Sequence, residues 1–271
     1  MQTHFKIRTL KYNKNKDVRV IFATNPSRKA ILFIHGYNGD AINTWSDFHE
    51  LLPGRPKCAH SDIYFYGYDG LWAELQATAA IFRAFLDNLF NGTNTLFKEN
   101  LTPSESRPID FMYDELVIVA HSLGAVIARR ALLDATQIGS DWISRIKLVL
   151  FAPAHKGARA VDLAMEALSW ITPLKFCKIF ISFNSPITEQ LKPGSQTLKD
   201  LLEETNTATK NGGNPHLIAK KVVIAQYDKI VTNERFGNDP PPESIPDTTH
   251  TSVCKPKINF LQPISILEDQ I

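Results

Sequence analysis

The stretch that decides the fold is Asp114-Glu-Leu-Val-Ile-Val-Ala-His-Ser122-Leu-Gly-Ala-Val-Ile-Ala-Arg-Arg-Ala-Leu-Leu133. Its first half is an unbroken apolar run with β-branched residues, the pattern of a strand buried on both faces. A helix over Ser122–Ala135 is predicted to start at once, because apolar and small residues continue with no Pro to stop it. A chain that passes from strand to helix this abruptly has no room for side chains two residues before and two after the turn. Ala120 and Gly124 occupy those places. The turn then holds the Ser122 hydroxyl above the strand ends, at a helix N-terminus. A helix-capping serine is the plainer account of Ser122, but a cap does not call for small residues on both sides of His-Ser-Leu.

Outward from this segment, short apolar runs recur with helical stretches between them. The runs are Phe5–Leu10, Val18–Ala23, Ile31–His35, Ile63–Tyr68, Leu116–His121, Ile146–Phe151 and Lys221–Gln226. The first two read as an antiparallel pair joined by Asn13-Lys14-Asn15. Further helices are expected at Ala41–Leu52, Trp72–Phe90 and Ala158–Trp170. In the second of these, Leu75, Ala79, Phe82, Leu86 and Leu89 recur every three or four residues. Such alternation predicts an α/β fold with a mainly parallel central sheet flanked by helices. The interval from 154 to 220 is longer than a parallel crossover needs and holds Pro173, Pro186, Pro193 and Asn211-Gly212-Gly213-Asn214, so it reads as an inserted cap. Gly237 to Thr249 carries Pro240, Pro241, Pro242 and Pro246 and reads as a surface loop without regular structure. No linker or repeat interrupts residues 1–271, which reads as one domain with 154–220 as its cap.

Composition narrows the class. The chain has 271 residues, 44% apolar, 10% aromatic and 21% charged, which fits a soluble globular protein. A formal charge of +2 gives no global attraction to nucleic acid. The locally basic start (Lys6, Arg8, Lys11, Lys14, Lys16, Arg19, Arg28 and Lys29 against Asp17) reads as solvated edge strands. Cys58, Cys177 and Cys254 are odd in number and lack metal-ligand spacing, which argues against a disulfide framework or a zinc site and for a reducing compartment. The start of the chain has no run of signal-peptide length. Its most apolar window, Val161 to Phe183, is broken by Asp162, Glu166, Lys175 and Lys178. The expectation is a cytoplasmic protein without a transmembrane segment.

With Ala in place of the first Gly, Ala120-His-Ser-Leu-Gly124 is the nucleophile-elbow pattern. On it, and on the order of three other segments, residues 18 to 256 resemble the α/β-hydrolase superfamily. The likeness is to lipase-like serine esterases, a group that includes relatives of GPI-inositol deacylases. The first of the three is Ile31-Leu-Phe-Ile-His35-Gly36-Tyr37-Asn38-Gly39. By resemblance this loop supplies the Tyr37 N–H to an oxyanion hole, with the Leu123 N–H as second donor. The second is Val222-Val-Ile-Ala-Gln-Tyr-Asp228, a strand delivering a carboxylate at its C-terminal end. The third is Thr249-His250-Thr-Ser-Val-Cys-Lys-Pro256, a loop histidine before an expected short helix. The order Ser122, Asp228, His250 is that of the superfamily. Chemically, a hydroxyl needs an imidazole to take its proton, and the imidazole needs a carboxylate to fix its tautomer.

Other residues compete for these roles. Asp247 and Asp62 are substitute carboxylates. His121 is held inside the elbow, His35 precedes the oxyanion loop, and His49, His60, His155 and His216 lie on flanking segments. The Phe151-Ala-Pro-Ala-His155-Lys-Gly157 stretch reads as the structural entrance to the cap. Trp170, Phe176 and Phe180, with Leu163, Ala167, Ile171, Ile181 and Phe183, form an apolar set that is either ordinary core or a lid facing an acyl chain. Trp45, Trp72 and Trp170 are of a kind to line an acyl pocket, but core or cap packing is the plainer role for each. The function this implies is cleavage of a carboxyl ester, of lipid or acyl type, through an acyl-enzyme on Ser122, with no metal or organic cofactor. Two other readings stand beside it. One is a binding module that keeps the fold without the chemistry. The other is a phospholipase-type effector whose cap and basic N-terminal face engage a membrane surface.

Overall fold

The computed structural model describes residues 7–13, 16–71, 74–92, 96, 107–108, 110–158, 185–232 and 234–271. Its strands are β1 (Arg8–Asn13), β2 (Lys16–Ile21), β3 (Lys29–Ile34), β4 (Asp62–Tyr66), β5 (Glu115–His121), β6 (Ile146–Phe151), β7 (Lys221–Ala225) and β8 (Glu243–Ile245). They form one sheet in the order β1-β2-β4-β3-β5-β6-β7-β8. The β1–β2 pair is antiparallel, as the turn signal between them predicts, and β2 also runs antiparallel to β4. From β4 to β8 every pairing is parallel. The uninterrupted apolar runs of β3 and β5 lie at the centre of the sheet, where Ala30–Ile34 and Leu116–Ala120 are buried without alternation. That is what a parallel sheet covered on both faces demands.

The described α-helices are α1 (Phe48–Leu51), α2 (Leu75–Asn91), α3 (Leu123–Gln137), α4 (Pro186–Gln190), α5 (Gln196–Thr209) and α6 (Gln262–Glu268), with 3-10 turns at Asn43–Trp45, Ile143–Arg145, Lys210–Gly212 and Pro215–Leu217. Glu74 caps α2 by accepting from the N–H groups of Gln76 and Ala77. The predicted stripe Leu75, Ala79, Phe82, Leu86 and Leu89 is the buried face. Helix α3 lies against β3 and β5 and touches both α2 and α5. Twelve of its residues are buried, including the charged Arg129 and Arg130. Arg129 is held by Asp239 and the Leu217 carbonyl, and Arg130 by Asp134 and Glu204.

Two local expectations need correction. The helix over Ala41–Leu52 is broken into a 3-10 turn at Asn43–Trp45 and the short α1. Asp40 Oδ1 accepts from the N–H groups of Ile42 and Asn43, and Ser46 has φ of 48° between the two pieces. Such local side-chain bonds compete with helix, and the break lets both Trp45 and Phe48 pack on Phe33. The proline-rich loop contains β8, since Glu243-Ser-Ile lies between Pro242 and Pro246 and an edge strand bonds on one side only. In the interval after β6, α5 starts at the Ser195 cap, buries Leu198, Leu201, Thr205 and Thr209, and returns the chain to β7 beside α3. Apart from Ala158, which bridges to Val231, the helix expected over Ala158–Trp170 lies outside the described residues, as do Trp170, Phe176, Phe180, Trp72 and Cys177.

The junction of α3 with the sheet rests on Gly124. A Cβ there would stand 2.3 Å from the His35 carbonyl oxygen and 2.4 Å from that of Ile34, both backbone atoms that cannot swing away. Gly124→Ala should therefore lower unfolding free energy by roughly 1–3 kcal/mol. Gly54→Ala, whose Cβ would meet nothing nearer than 3.8 Å, should stay within about 0.5 kcal/mol of wild type. Urea melts of the two variants compare them, and equal midpoints would refute the close approach.

Candidate active site

Ser122 sits between β5 and α3 with φ 52° and ψ −119°, in neither the strand nor the helix region. A non-glycine residue in such a conformation costs on the order of 1–3 kcal/mol and persists only where its surroundings hold it. Here they do. The Ser122 N–H donates to the Phe151 carbonyl at 3.1 Å, and the Ser122 carbonyl accepts from Ala125 and Ala154 at 3.1 and 3.2 Å. The hydroxyl is thereby fixed at the C-terminal edge of the central strands, as the small flanks predict.

Its partner comes from 128 residues away. Ser122 Oγ lies 2.9 Å from His250 Nε2, and His250 Nδ1 lies 2.9 Å from Asp228 Oδ2. Both side chains are closed off from solvent, His250 being 3% and Asp228 0% exposed. Asp228 follows β7 by three residues, and its other oxygen, Oδ1, accepts from the N–H groups of Ile230 at 2.9 Å and Val231 at 3.1 Å. Burial pushes its carboxyl up, but the bond and charge of His250 and the two backbone donors outweigh this and leave it below the ordinary carboxylate value. Asp228 is thus a charged acceptor able to hold a proton on Nδ1, which leaves the Nε2 lone pair directed at the Ser122 hydroxyl.

The loop after β3 closes the other side. A Cβ on Gly36 would stand 2.9 Å from Ser122 Cβ and 3.0 Å from His121 Nδ1, so the Gly36–Tyr37 backbone runs directly past the elbow. His35 anchors it, with Nδ1 bonded to the Gly36 carbonyl at 2.8 Å and Nε2 accepting from the Tyr68 N–H at 3.2 Å. Tyr68 stacks on the same ring at 4.3 Å and donates its hydroxyl to the His35 carbonyl. Leu123, the first residue of α3, belongs to the turn whose amides have no carbonyl partner within the helix.

The rivals are engaged elsewhere. Asp62 binds Arg107 and Tyr113 at the opposite end of the sheet, and Asp247 is exposed in the turn after β8. His49, His60 and His216 bond the Ser46 carbonyl, the Asn25 carbonyl and Thr136 Oγ1. His155 is buried against Arg129, the Ala125 carbonyl and Phe236. Trp45 is fully buried core. His121, held inside the elbow as the sequence suggests, has a partner the sequence does not show: its Nε2 lies 2.9 Å from the His250 carbonyl oxygen. No periodicity or motif announces that bond. Among the described residues no helix is long and apolar enough to cross a membrane, and no cluster of three or more His, Cys, Asp or Glu could hold a metal ion.

The architecture is that of the α/β-hydrolase fold. Among solved structures the chain is similar to the mature form of a lipase from Bacillus licheniformis, at 15% identity, 97% coverage of both chains and a TM-score of 0.55. It is also similar to a peroxisomal alpha-beta-hydrolase of Saccharomyces cerevisiae, at 9% identity over 99% of this chain and 88% of that one, with a TM-score of 0.53. A monoacylglycerol lipase of Paleococcus ferrophilus aligns at 15% identity over 94% and 97% of the two chains, with a TM-score of 0.53. No family model and no curated protein matches the sequence.

The buried histidines around the site give the protein a definite acid response. Burial lowers His35 to about 4 and His121 to about 3, the latter helped by neighbouring His250. Between the ordinary imidazole value near 6.5 and about pH 4, the unfolded chain takes up protons on these rings that the folded chain refuses, so stability falls as pH falls. Each ring contributes up to about 1.4 kcal/mol per pH unit in that window. Wild type should lose more stability between pH 7 and 5 than His35→Gln does, by up to about 2 kcal/mol, in urea melts at both pH values. Equal losses would mean that His35 is not held neutral.

Proposed function

We propose that the chain is a serine hydrolase that cleaves carboxyl esters. The reading is carried by one observation, the hydrogen-bonded series Ser122 Oγ, His250 Nε2, His250 Nδ1, Asp228 Oδ2. In the proposed mechanism His250 takes the hydroxyl proton as Ser122 Oγ attacks the ester carbonyl, and Asp228 stabilises the imidazolium and keeps its ring oriented. The N–H groups of Tyr37 and Leu123 receive the oxyanion. His250 then gives its proton to the leaving alcohol, which leaves Ser122 acylated. Water, deprotonated by the same ring, releases the acid and restores Ser122.

A lipid or acyl ester is the substrate class we favour. Two of the similar structures are described as lipases, one of them for monoacylglycerol. The sequence of the proposed cap, 154–220, carries Trp170, Phe176 and Phe180, apolar residues suited to an acyl chain, whose burial is worth up to about 0.8 kcal/mol per methylene. A reducing, cytoplasmic setting fits the three scattered cysteines.

A fluorophosphonate probe should label the protein once, on Ser122, and Ser122→Ala should lower kcat on acyl esters by about 10⁴-fold or more. Asp228→Asn should cost about 10³-fold or more by favouring the wrong tautomer of His250, whereas Asp247→Asn should change kcat little. Labelling that survives in Ser122→Ala would end the proposal, and a larger effect at Asp247 would reassign the carboxylate.

A further inference from the structure

The proposed chemistry uses His250 and leaves unexplained a second imidazole against it. His121 is buried, its ring centre 4.9 Å from that of His250 and tilted by 49°. A carbonyl oxygen only accepts, so at the 2.9 Å contact with the His250 carbonyl it is His121 Nε2 that carries the proton and donates. Its Nδ1 is buried without a hydrogen-bond partner and lies where a Cβ on Gly36 would stand 3.0 Å away. Trp45 meets the ring edge-on at 6.4 Å.

Packing alone does not explain an imidazole here. Burying a polar ring with one nitrogen unpaired costs free energy that an apolar side chain would not, and the single bond that offsets it goes to the main chain of His250. That residue lies in a loop, beyond the last strand. The adjacent turn bonds, from Ser252 and Val253 to the Thr249 carbonyl, form around it and do not include its carbonyl. His121, by contrast, is the last residue of β5 and is paired in register with Phe151 of β6. It therefore ties the His250 loop to the rigid end of the strand that also carries Ser122.

We propose that His121 is a positioning residue: its Nε2–H grips the His250 carbonyl and so sets the distance and aim of the His250 ring toward Ser122. The inference rests on the esterase reading above. A displacement of about 1 Å in a reacting group can cost on the order of 10²-fold in rate, so a loop held by one such bond is a sensitive point.

Two near-isosteric variants separate this from a packing role. The amide nitrogen of Gln reaches the place of Nε2, whereas that of Asn reaches only the place of Nδ1. His121→Gln should keep kcat on an acyl ester within about threefold of wild type, and His121→Asn should lower kcat by on the order of 10²-fold with KM and melting temperature little changed. Equal effects of the two variants, or the reverse order, would overturn the proposal. Nitrogen NMR of the wild-type protein gives a test that no folding defect can obscure. His121 should be the Nε2–H tautomer with a slowly exchanging proton, and an Nδ1–H tautomer would overturn it equally. Ser122→Ala run alongside keeps the two readings distinct, because activity surviving in that variant would remove the esterase reading itself, whatever His121 does.

Discussion

Everything at this site depends on the turn at Ser122. A parallel strand at the centre of a sheet must hand the chain to a helix that packs back against its own neighbours, and here it does so in one residue. That forces φ of 52° on a serine and leaves no space at Gly124, where α3 abuts the carbonyls ending β3. The strain is held by bonds to the next strand: Ser122 N–H to Phe151, and Ala154 N–H back to Ser122. The result is a Cα–Cβ bond whose direction is set by backbone on both sides, and the hydroxyl it carries meets His250 Nε2 at 2.9 Å. Gly36 serves the same end from β3, since any side chain there would displace Ser122 or His121.

Strand order then supplies the rest. Because β3 and β6 both border β5, and β7 and β8 follow in line, the loops leaving the C-terminal ends of these strands converge on one edge. Residues 128 apart in sequence are thereby brought within 2.9 Å. The carboxylate arrives three residues past β7, already bonded to its own turn through Ile230 and Val231. Asp228 therefore stands oriented before His250 is considered, and the histidine loop has only to meet two fixed points.

The parts that were legible in the sequence are those with a period or a steric necessity. Seven of the strands announce themselves as apolar runs, and α2 as a stripe. The elbow is readable because small residues two before and two after a serine have few other causes. What was not legible depended on bonds between distant residues. The helix expected over Ala41–Leu52 carries an acceptable apolar pattern, but Asp40 captures two backbone N–H groups that would otherwise belong to it. Strand β8 is three residues between prolines, and it exists because β7 offers it an edge. His121 looks like a constrained bystander until the loop carrying His250 is folded over it.

The histidines near Ser122 differ in what their surroundings allow them to carry. His35 and His121 have one donor role each, to the Gly36 carbonyl and the His250 carbonyl, and among the described residues no carboxylate bonds to either. Burial accordingly holds both neutral. His250 alone has the Asp228 carboxylate on its Nδ1. In a region of low dielectric this decides where positive charge can form, because an ion is stabilised there only beside its counter-charge. A charged His121 at 4.9 Å would oppose the imidazolium that the proposed mechanism requires on His250. Keeping His121 neutral lets it hold the loop through a hydrogen bond without adding a competing charge. An imidazole can thus serve as scaffold beside another that serves as base, provided that only one of them has a carboxylate partner.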